Sequence, residues 1–399
     1  MRISSNSMFN YNVAMMNQLQ VQLTQTQEQA ASGVQLLSAA SDPVAYTQAM
    51  LLKQTDSITN QQSANITAAT NTLSIAGNTM MSVTNLLQSI RSNVLSVAGS
   101  STSSGTLTTM ANSLNGQLQQ LMGLANSTDG NGNYLFSGYQ SSTQPFSTNS
   151  SGVVVYNGDS GQQLVQASST RQIPVSDNGA SVFMNIKNGN GTFATSASSS
   201  NTGTGVIDVG SVVNQGALTG DSYSISFFVS GGTTTYTVKD TTTSTTVASA
   251  QPYTSGQAIT FAGMQVSISG SPANNDSFTV APSTNQSVFQ SISNIITALQ
   301  SGNSTTATNA ISGSGLRNID NAISHMSDVE ASQGLRLNEL SMLQTNSTSM
   351  DVQLKQNISS LQDTNYTSTI TALNQQQLAL QAAQKSYAQV ATLSMFTYI

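Results

Sequence analysis

The chain has 399 residues, and only 7% of them are charged, against about 25% in ordinary soluble proteins. The net charge of −6 is mild and the ten Lys and Arg are scattered, so no basic patch favours nucleic acid as a partner. Cysteine is absent and histidine occurs once, which removes disulfides and most metal or nucleophile–base arrangements. We therefore expect no cofactor, no metal site and no enzymatic activity.

Hydropathy also limits the targeting classes. No stretch approaches 18 apolar residues, so we expect no membrane span. The N-terminus, MRISSNSMFNYNVAMM, has no apolar run long enough for a signal peptide. If the protein leaves the cell, we expect it to do so without a cleaved signal.

Apolar residues at helical spacing predict long helices in the first third of the chain. The first is predicted over residues 8–31. A second begins at Ser41-Asp42-Pro43, because Asp42 is a good N-cap and Pro43 suits the first helical position. Its most regular part alternates steps of three and four: Ile66, Ala69, Leu73, Ala76, Met80, Val83, Leu87, Ile90, Val94 and Val97. A third helix is predicted from Leu107 to Ala125, and Asp129-Gly130-Asn131-Gly132 ends it.

From Tyr134 the apolar period changes to two, which predicts β structure. Short strands are predicted at residues 134–136, 153–156 and 172–175, and a linker or mobile loop at 196–205. In the second β-rich block that follows, Gly231-Gly232 would turn one strand into the next. The strand residues predicted there are Tyr223, Ile225, Phe227, Tyr236, Val238, Phe261, Met264, Val266, Ile268, Phe278 and Val280.

Helical spacing returns at Val288 and Leu316 and continues into a last segment, residues 354–399. This segment has a narrow apolar seam, which is typical of a helix in a coiled coil. Ordering such a helix costs more conformational entropy than burying one thin apolar stripe recovers in free energy. The helix therefore needs a partner, and the N-terminal helices are the obvious candidates. The seam residues are Leu354, Ile358, Leu361, Tyr366, Ile370, Leu373, Leu380, Tyr387 and Leu393.

These elements predict an α+β multidomain fold: a rod of long coiled-coil-like helices from both chain ends, with a β-rich middle insertion. Residues 1–45 and 354–399 would form a terminal helical domain. Residues 46–190, with a β-hairpin region, and 285–353 would form the helical rod domain, and 191–284 a β-rich outer domain. We expect the polar terminal seams to become ordered only when many copies pack together.

Motifs distributed along the chain resemble one known family. They are the start MRISSNSMFN, Ser32-Gly33, Ser41-Asp42-Pro43-Val44-Ala45, Tyr134-Leu135-Phe136-Ser137-Gly138, Pro145-Phe146, Tyr156-Asn157-Gly158-Asp159, Gly334-Leu335-Arg336-Leu337-Asn338, Asp363-Thr364-Asn365-Tyr366, Leu380-Gln381-Ala382 and Leu393-Ser394-Met395-Phe396-Thr397-Tyr398. Through them the chain resembles the bacterial flagellin superfamily, and within it the hook–filament junction proteins, over about residues 1–190 and 285–399. Ser41, Asn365 and Thr397 depart from an Asp that is usual in the family, and Val34-Gln35 stands where a basic pair is common.

The resemblance implies a flagellin-like fold and a structural role outside the cell. It implies a subunit of the bacterial flagellum that is exported unfolded by the flagellar type III apparatus and forms the junction ring between hook and filament. The implied partners are further copies in a homo-oligomeric ring, the first hook-associated junction protein, flagellin, and an export chaperone on the C-terminal segment. Neither nucleic acid nor a membrane is expected.

A polymer built from heterologous contacts needs two unlike surfaces on each subunit. We expect them on the terminal seams and on the helix from Met80 to Val97. The candidate assembly residues are Met16, Leu19, Leu23, Leu87, Ile90, Arg91, Val94, Leu354, Ile358, Leu361, Ile370, Leu373, Leu380, Tyr387, Leu393 and Phe396.

Three alternatives stay open. The first is a filament flagellin of unusual type, against which the first ten residues argue. The second is a flagellin-like protein whose middle domain acts as an adhesin. The third is a hydrolytic pair in the middle, Asp208 and Asp221, which no local sequence context supports.

Overall fold

The structure is a computed structural model that describes residues 5–98 and 102–392. Long helices occupy both ends of the chain and β structure occupies the middle, as the sequence predicts. The helices are α1 (Ser5–Ser32), α2 (Pro43–Val97), α3 (Ser104–Ala125), α4 (Val288–Gln300), α5 (Ser304–Ala310), α6 (Leu316–Gln362) and α7 (Tyr366–Thr392). The strands are β1 (Phe146–Thr148), β2 (Val154–Tyr156), β3 (Leu164–Ser168), β4 (Arg171–Pro174), β5 (Ile186–Lys187), β6 (Phe193–Ala197), β7 (Val206–Ile207), β8 (Ser211–Val212), β9 (Tyr223–Ser230), β10 (Thr233–Asp240), β11 (Thr246–Pro252), β12 (Ala258–Phe261), β13 (Met264–Ser269), β14 (Ser277–Pro282) and β15 (Asn285–Gln286).

Helix starts are fixed by side-chain caps. The Oδ1 of Asp42 accepts hydrogen bonds from the backbone N–H groups of Val44 and Ala45, at 3.0 and 2.9 Å, which satisfies two donors that have no partner inside the helix. α2 therefore begins at Pro43, as predicted. Ser103 and Ser287 cap α3 and α4 in the same way.

The chain forms two compact units. The terminal unit comprises Met1–Asn65 with Met342–Ile399, and the inner unit comprises Ile66–Ser341. The helices α2 and α6 each contribute residues to both units. The domain boundaries predicted at 45/46 and 353/354 both fall inside the terminal unit.

Within the terminal unit, α1 packs against α7. The ring of Phe9, early in α1, lies 5.3 Å from the ring of Tyr387, late in α7. The chain just after α1 contacts the chain just before α7, where Val34 and Asp363 form a β-bridge. The two helices are therefore antiparallel, and the predicted pairing of the C-terminal helix with an N-terminal one is confirmed.

The inner unit contains two hydrophobic cores. The first joins α2, α3, α4 and α6 and includes a cluster of aromatic rings. At its centre, the ring centroid of Phe146 lies 5.3 Å from those of Tyr156, Phe183 and Phe289. Such ring contacts add to the free energy gained by burying apolar area.

The second core lies in the β block. It is shared by a five-stranded antiparallel sheet of order β11-β10-β9-β14-β6 and a smaller sheet of order β12-β13-β7, with β8 paired to β13. Gly231 and Gly232 both have positive φ angles and form the two-residue turn from β9 to β10, as predicted. Where the chain enters and leaves the block, β5 pairs with β15.

Two sequence predictions in the middle of the chain were wrong. Residues 134–136 are not a strand: Tyr134 makes an isolated bridge to Thr128, and a turn follows. Residues 196–205 are not a free linker, because Ser196 and Ala197 belong to β6 and the backbone N–H groups of Thr202 and Gly203 donate to Asp276. Local composition indicates neither contact, because both partners lie elsewhere in the chain.

Candidate assembly surfaces

The terminal unit buries little apolar surface of its own. Among its described residues, the buried hydrophobic side chains are Leu36, Ala49 and Leu354. The large hydrophobic side chains that it exposes are Met8, Phe9, Tyr11, Met15, Val21, Leu37, Val44, Met50, Leu51, Ile58, Met342, Met350, Val352, Tyr366, Ile370 and Leu378. Large exposed apolar patches mark interaction sites, so these helices are the candidate assembly surface.

The structure distributes the predicted seam residues over three environments. Leu354 is buried, and Ile370 is 50% exposed. Half-buried positions are occupied by Met16, Leu19, Leu23, Ile358, Leu361, Leu373, Leu380 and Tyr387. Leu393 and Phe396 lie outside the described residues.

Sequence reasoning missed part of the exposed apolar set. Val21, Val44, Leu51 and Leu378 are exposed, but none of them lies on the predicted seams. The sequence did contain a signal for them. Each is a large apolar residue on a polar helix, away from the predicted seam, so burial within the subunit does not account for its presence.

Backbone hydrogen bonds join the segment that follows α1 to the segment between α6 and α7. The N–H of Gln35 donates to the carbonyl oxygen of Gln362 at 2.6 Å, and the N–H of Thr364 donates to that of Gly33 at 2.9 Å. Gly33 has a φ of 71°, a conformation that glycine adopts without steric cost. The motifs Ser32-Gly33 and Asp363-Thr364-Asn365-Tyr366 thus meet at one structural joint.

Charged groups in the terminal unit are few, and two of them pair on α6. The Nζ of Lys355 lies 2.8 Å from the Oδ2 of Asp351. The hydrogen bond from Lys355 lowers the pKa of the Asp351 carboxyl, and the same bond raises the pKa of the Lys355 ammonium. The side chain of Lys355 is 60% exposed and that of Asp351 is 21% exposed, so water screens this pair and its contribution to the stability of the fold is small.

The helix from Met80 to Val97 has a different role from the predicted one. Leu87, Ile90 and Val94 are fully buried in the first core of the inner unit. Their side chains are packed inside their own subunit, so they cannot face a neighbouring copy, and we withdraw these three from the candidate assembly surface. Arg91 is partly exposed and pairs through its Nε with Asp320 of α6.

The motif that contains Arg336 joins α6 to the hairpin β3–β4. The Nη2 of Arg336 donates to both carboxylate oxygens of Asp177 at 2.8 Å, and Nη1 donates to the carbonyl oxygen of Pro174 at 3.2 Å. Both charged side chains are only 11% exposed. A second pair, Arg171 with Glu339, links the same two elements at the surface. The hydrogen bond from Arg171 lowers the pKa of the Glu339 carboxyl.

The motifs at residues 134–138 and 156–159 are joined by hydrogen bonds. The Oδ1 of Asp159 accepts from the N–H groups of Tyr139 and Gly161, at 2.9 and 2.7 Å, and these bonds lower the pKa of its carboxyl. The Tyr156 hydroxyl donates to the carbonyl oxygens of Phe136 and Asp159. Gly138 has a φ of 74° and leaves no room for a Cβ beside Asp159.

Of the two residues considered for hydrolysis, Asp208 has structural partners. The carboxylate of Asp208 accepts from the N–H of Gly210 and from both the N–H and the hydroxyl of Ser267. Across residues 5–98 and 102–392, no three His, Cys, Asp or Glu side chains are grouped as metal ligands would be. Within the same ranges, no helix combines the length and apolarity that a membrane crossing requires.

Comparison with known proteins points to one family. The family model of the bacterial flagellin N-terminal helical region matches residues 3–141. The flagellar hook-associated protein 3 of Salmonella typhimurium is 31% identical over 186 residues, which are 47% of this chain and 58% of that protein. The match thus spans little more than half the length of this curated relative.

Solved structures extend the similarity to the fold. The crystal structure of flagellar hook-associated protein-3 from Legionella pneumophila is similar with a TM-score of 0.73 and 32% identity, over 78% of this chain and 98% of that one. The flagellar junction protein FlgL from the same organism gives a TM-score of 0.70 and 32% identity, over 79% and 100% of the two chains. These solved chains are therefore matched almost from end to end.

Proposed function

The chain belongs to the family of flagellar hook-associated protein 3, and from that premise we propose that it is a structural subunit of the bacterial flagellum. Its place would be the junction between hook and filament, outside the cell, after export by the flagellar type III apparatus. The observation that carries the proposal is the terminal unit, whose long helices leave many large apolar side chains exposed in a single subunit. The similarity of the chain to the solved flagellar junction protein of Legionella pneumophila supports the same role.

The proposed assembly is a homo-oligomeric ring. The ring would contact the first hook-associated junction protein on one side and flagellin on the other, through unlike surfaces of each subunit. The candidate contact residues are the exposed and half-buried apolar residues of α1 and α7, with Ile370 the most accessible of the predicted set that the structure describes. Before export, a chaperone would bind the C-terminal segment and keep this apolar surface from aggregating.

Immunogold electron microscopy of intact flagella tests the proposal. An antibody raised against residues 190–285 recognises the β block, which contributes no residue to the proposed terminal contacts. We expect gold at one spot, where the hook meets the filament. Gold along the whole filament would instead identify a filament flagellin, and flagella without gold would contradict a flagellar role.

A further inference from the structure

The β block and the helical part of the inner unit have separate hydrophobic cores, which share no residue. The chain passes from one to the other and back where β5 pairs with β15. Burial of apolar area is non-directional, so it does not select one orientation of the block. Hydrogen bonds are directional, and those between the two parts are therefore the contacts that can fix how the block is oriented.

Two polar side chains bind the backbone of the block directly. The Oδ1 of Asn309 accepts from the N–H of Ile207 at 3.1 Å, and its Nδ2 donates to the carbonyl oxygen of Gly205 at 2.8 Å. The Oγ of Ser314 accepts from the N–H of Thr195 at 3.1 Å and donates to the carbonyl oxygen of the same residue at 2.8 Å. Each side chain thus satisfies one backbone donor and one backbone acceptor, so these contacts do not depend on the side chains of the block.

Two more side chains bind the segment by which the chain enters the block. The Oδ1 of Asn318 accepts from the N–H of Gly189 at 2.7 Å. The Nδ2 of Asn321 donates to the carbonyl oxygens of Lys187 and Gly189, at 2.8 and 2.9 Å. We name these four side chains the lock residues: Asn309, Ser314, Asn318 and Asn321.

A π-helical turn brings the lock residues onto one face. The helix continues from α5 through the π turn Ile311–Gly315 into α6. In an α-helix, residues five apart such as Asn309 and Ser314 would point about 140° away from each other. A π turn closes on i→i+5 hydrogen bonds, so this five-residue step takes the place of an ordinary four-residue step. Asn318 and Asn321 then follow at ordinary helical spacing.

A cleft of about 490 Å³ lies beside the lock residues. One wall is β6 with the segment that follows it, and the other is formed by α4 and α5. None of the described residues that line it is charged. The block therefore has space to move relative to the helices without bringing an unpaired charge against them.

We propose that the lock residues hold the β block in one orientation, and that the block rotates about the β5–β15 ladder when their hydrogen bonds open. The chain enters the block through Gly189 and Gly191, which both have positive φ angles, and hinges are formed by a few such loop residues. The lock residues are thus positioning residues for a whole domain. This inference goes beyond the proposed function, because it concerns the single subunit.

The distance between two spin labels tests the orientation. The chain has no cysteine, so Val247→Cys in β11 and Asp328→Cys in α6 place one label on the block and one on the helices, both at exposed positions. Double electron–electron resonance on the purified full-length protein should give one narrow distance distribution. Asn309→Ala combined with Ser314→Ala should replace it by a broad or double distribution. Thr306→Ala is the matched control, because this exposed residue of α5 lines the same cleft but makes no hydrogen bond to the block among the described residues.

Hydrogen exchange separates orientation from folding. In the variant with Asn309→Ala and Ser314→Ala, the N–H groups of Thr195 and Ile207 lose their acceptors. Peptides that contain them should therefore exchange about tenfold faster. Peptides from β9 and β10, which pair with each other inside the sheet, should exchange as they do in the unmodified protein.

Three results would overturn the inference. A distribution that stays narrow in the double variant would mean that other contacts orient the block. Faster exchange in β9 and β10 would mean that the lock residues are needed to fold the block rather than to orient it. Equal broadening by Thr306→Ala would mean that the effect does not come from the hydrogen bonds. Because the measurements use isolated subunits, each of these results leaves the proposed function standing.

Discussion

The terminal and inner units contain helices with similar apolar spacing but use them differently. In the inner unit, Leu87, Ile90 and Val94 are fully buried in a core that combines four helices and several aromatic rings. In the terminal unit, α1 and α7 pack on each other, and Ile370 remains half exposed. The inner unit therefore completes its core within one chain, whereas the terminal unit leaves large apolar side chains exposed.

Two phenylalanines summarise the difference. Phe183 is fully buried, with the rings of Phe136, Phe146 and Phe289 within 6 Å, their centroids at 5.3, 5.3 and 5.9 Å. Phe9 touches one ring, that of Tyr387, and is among the exposed hydrophobics. Burial on all sides makes a side chain a determinant of folding, and burial on one side leaves it available to a partner.

The largest expected effect comes from the same substitution made in each unit. Phe183→Ala should lower the free energy of unfolding of the inner unit by about 3–5 kcal/mol, because it removes a buried ring and leaves a cavity. Phe9→Ala should cost about 1 kcal/mol or less, since that residue is 45% exposed and its removal leaves no enclosed cavity. Calorimetry of the monomer, with the transitions of the two units fitted separately, measures both values. Equal losses would mean that the terminal unit is packed as tightly as the inner one.

The next effect concerns the two ion pairs that join α6 to the β3–β4 hairpin. Arg336→Met should cost about 3–5 kcal/mol, because it leaves the Asp177 carboxylate buried without its cation. Arg171→Met is the matched control at the surface and should cost less than about 1 kcal/mol, since Arg171 is 54% exposed. Urea unfolding of both variants gives the comparison. Similar costs for the two would show that burial does not distinguish these pairs.

The smallest effect on the monomer should coincide with a large effect on assembly. Ile370→Ser in α7 removes an exposed apolar side chain, so we expect the melting temperature to change by about 1 °C or less and flagellar incorporation to fall about tenfold. Val247→Ser, an exposed position in β11 of the inner unit, is the control and should leave both unchanged. Cells that lack the native protein and express each variant provide the incorporation assay. Full incorporation of Ile370→Ser would contradict the proposal that α7 is part of the assembly surface.

Mild proteolysis of the monomer sharpens the same comparison. The sequence hypothesis holds that the terminal segments gain order on assembly, so cleavage should begin there and spare the β block. Equal resistance of both regions would contradict it.

Sequence reasoning located the helices because apolar spacing and caps are local properties. Asp42-Pro43 marks the start of α2, and the spacing from Ile66 to Val97 marks its body. The same spacing could not tell a residue packed inside the subunit from one left exposed on its surface, so Leu87 and Ile370 received the same prediction. The distinction depends on how many other elements surround the helix, which is a property of the tertiary fold.

Contacts between distant residues were beyond the reach of the sequence. Arg336 and Asp177 are 159 positions apart, and nothing in their neighbourhoods indicates that they pair. The Nε2 of Gln333 donates to the same Asp177 carboxylate at 2.9 Å, and this contact too could be recognised only in three dimensions. The motif around Arg336 was visible, but its role was not.

The pairing of β5 with β15 has a consequence for how such proteins diversify. Lys187 and Asn285 face each other across this short ladder, so the chain leaves the helical part and returns to it at the same place. A segment inserted through adjacent ends can be lengthened, shortened or exchanged by recombination while the helices keep their register. We therefore expect the β block to behave as a replaceable cassette, open to variation under selection and to grafting of foreign domains onto the flagellum.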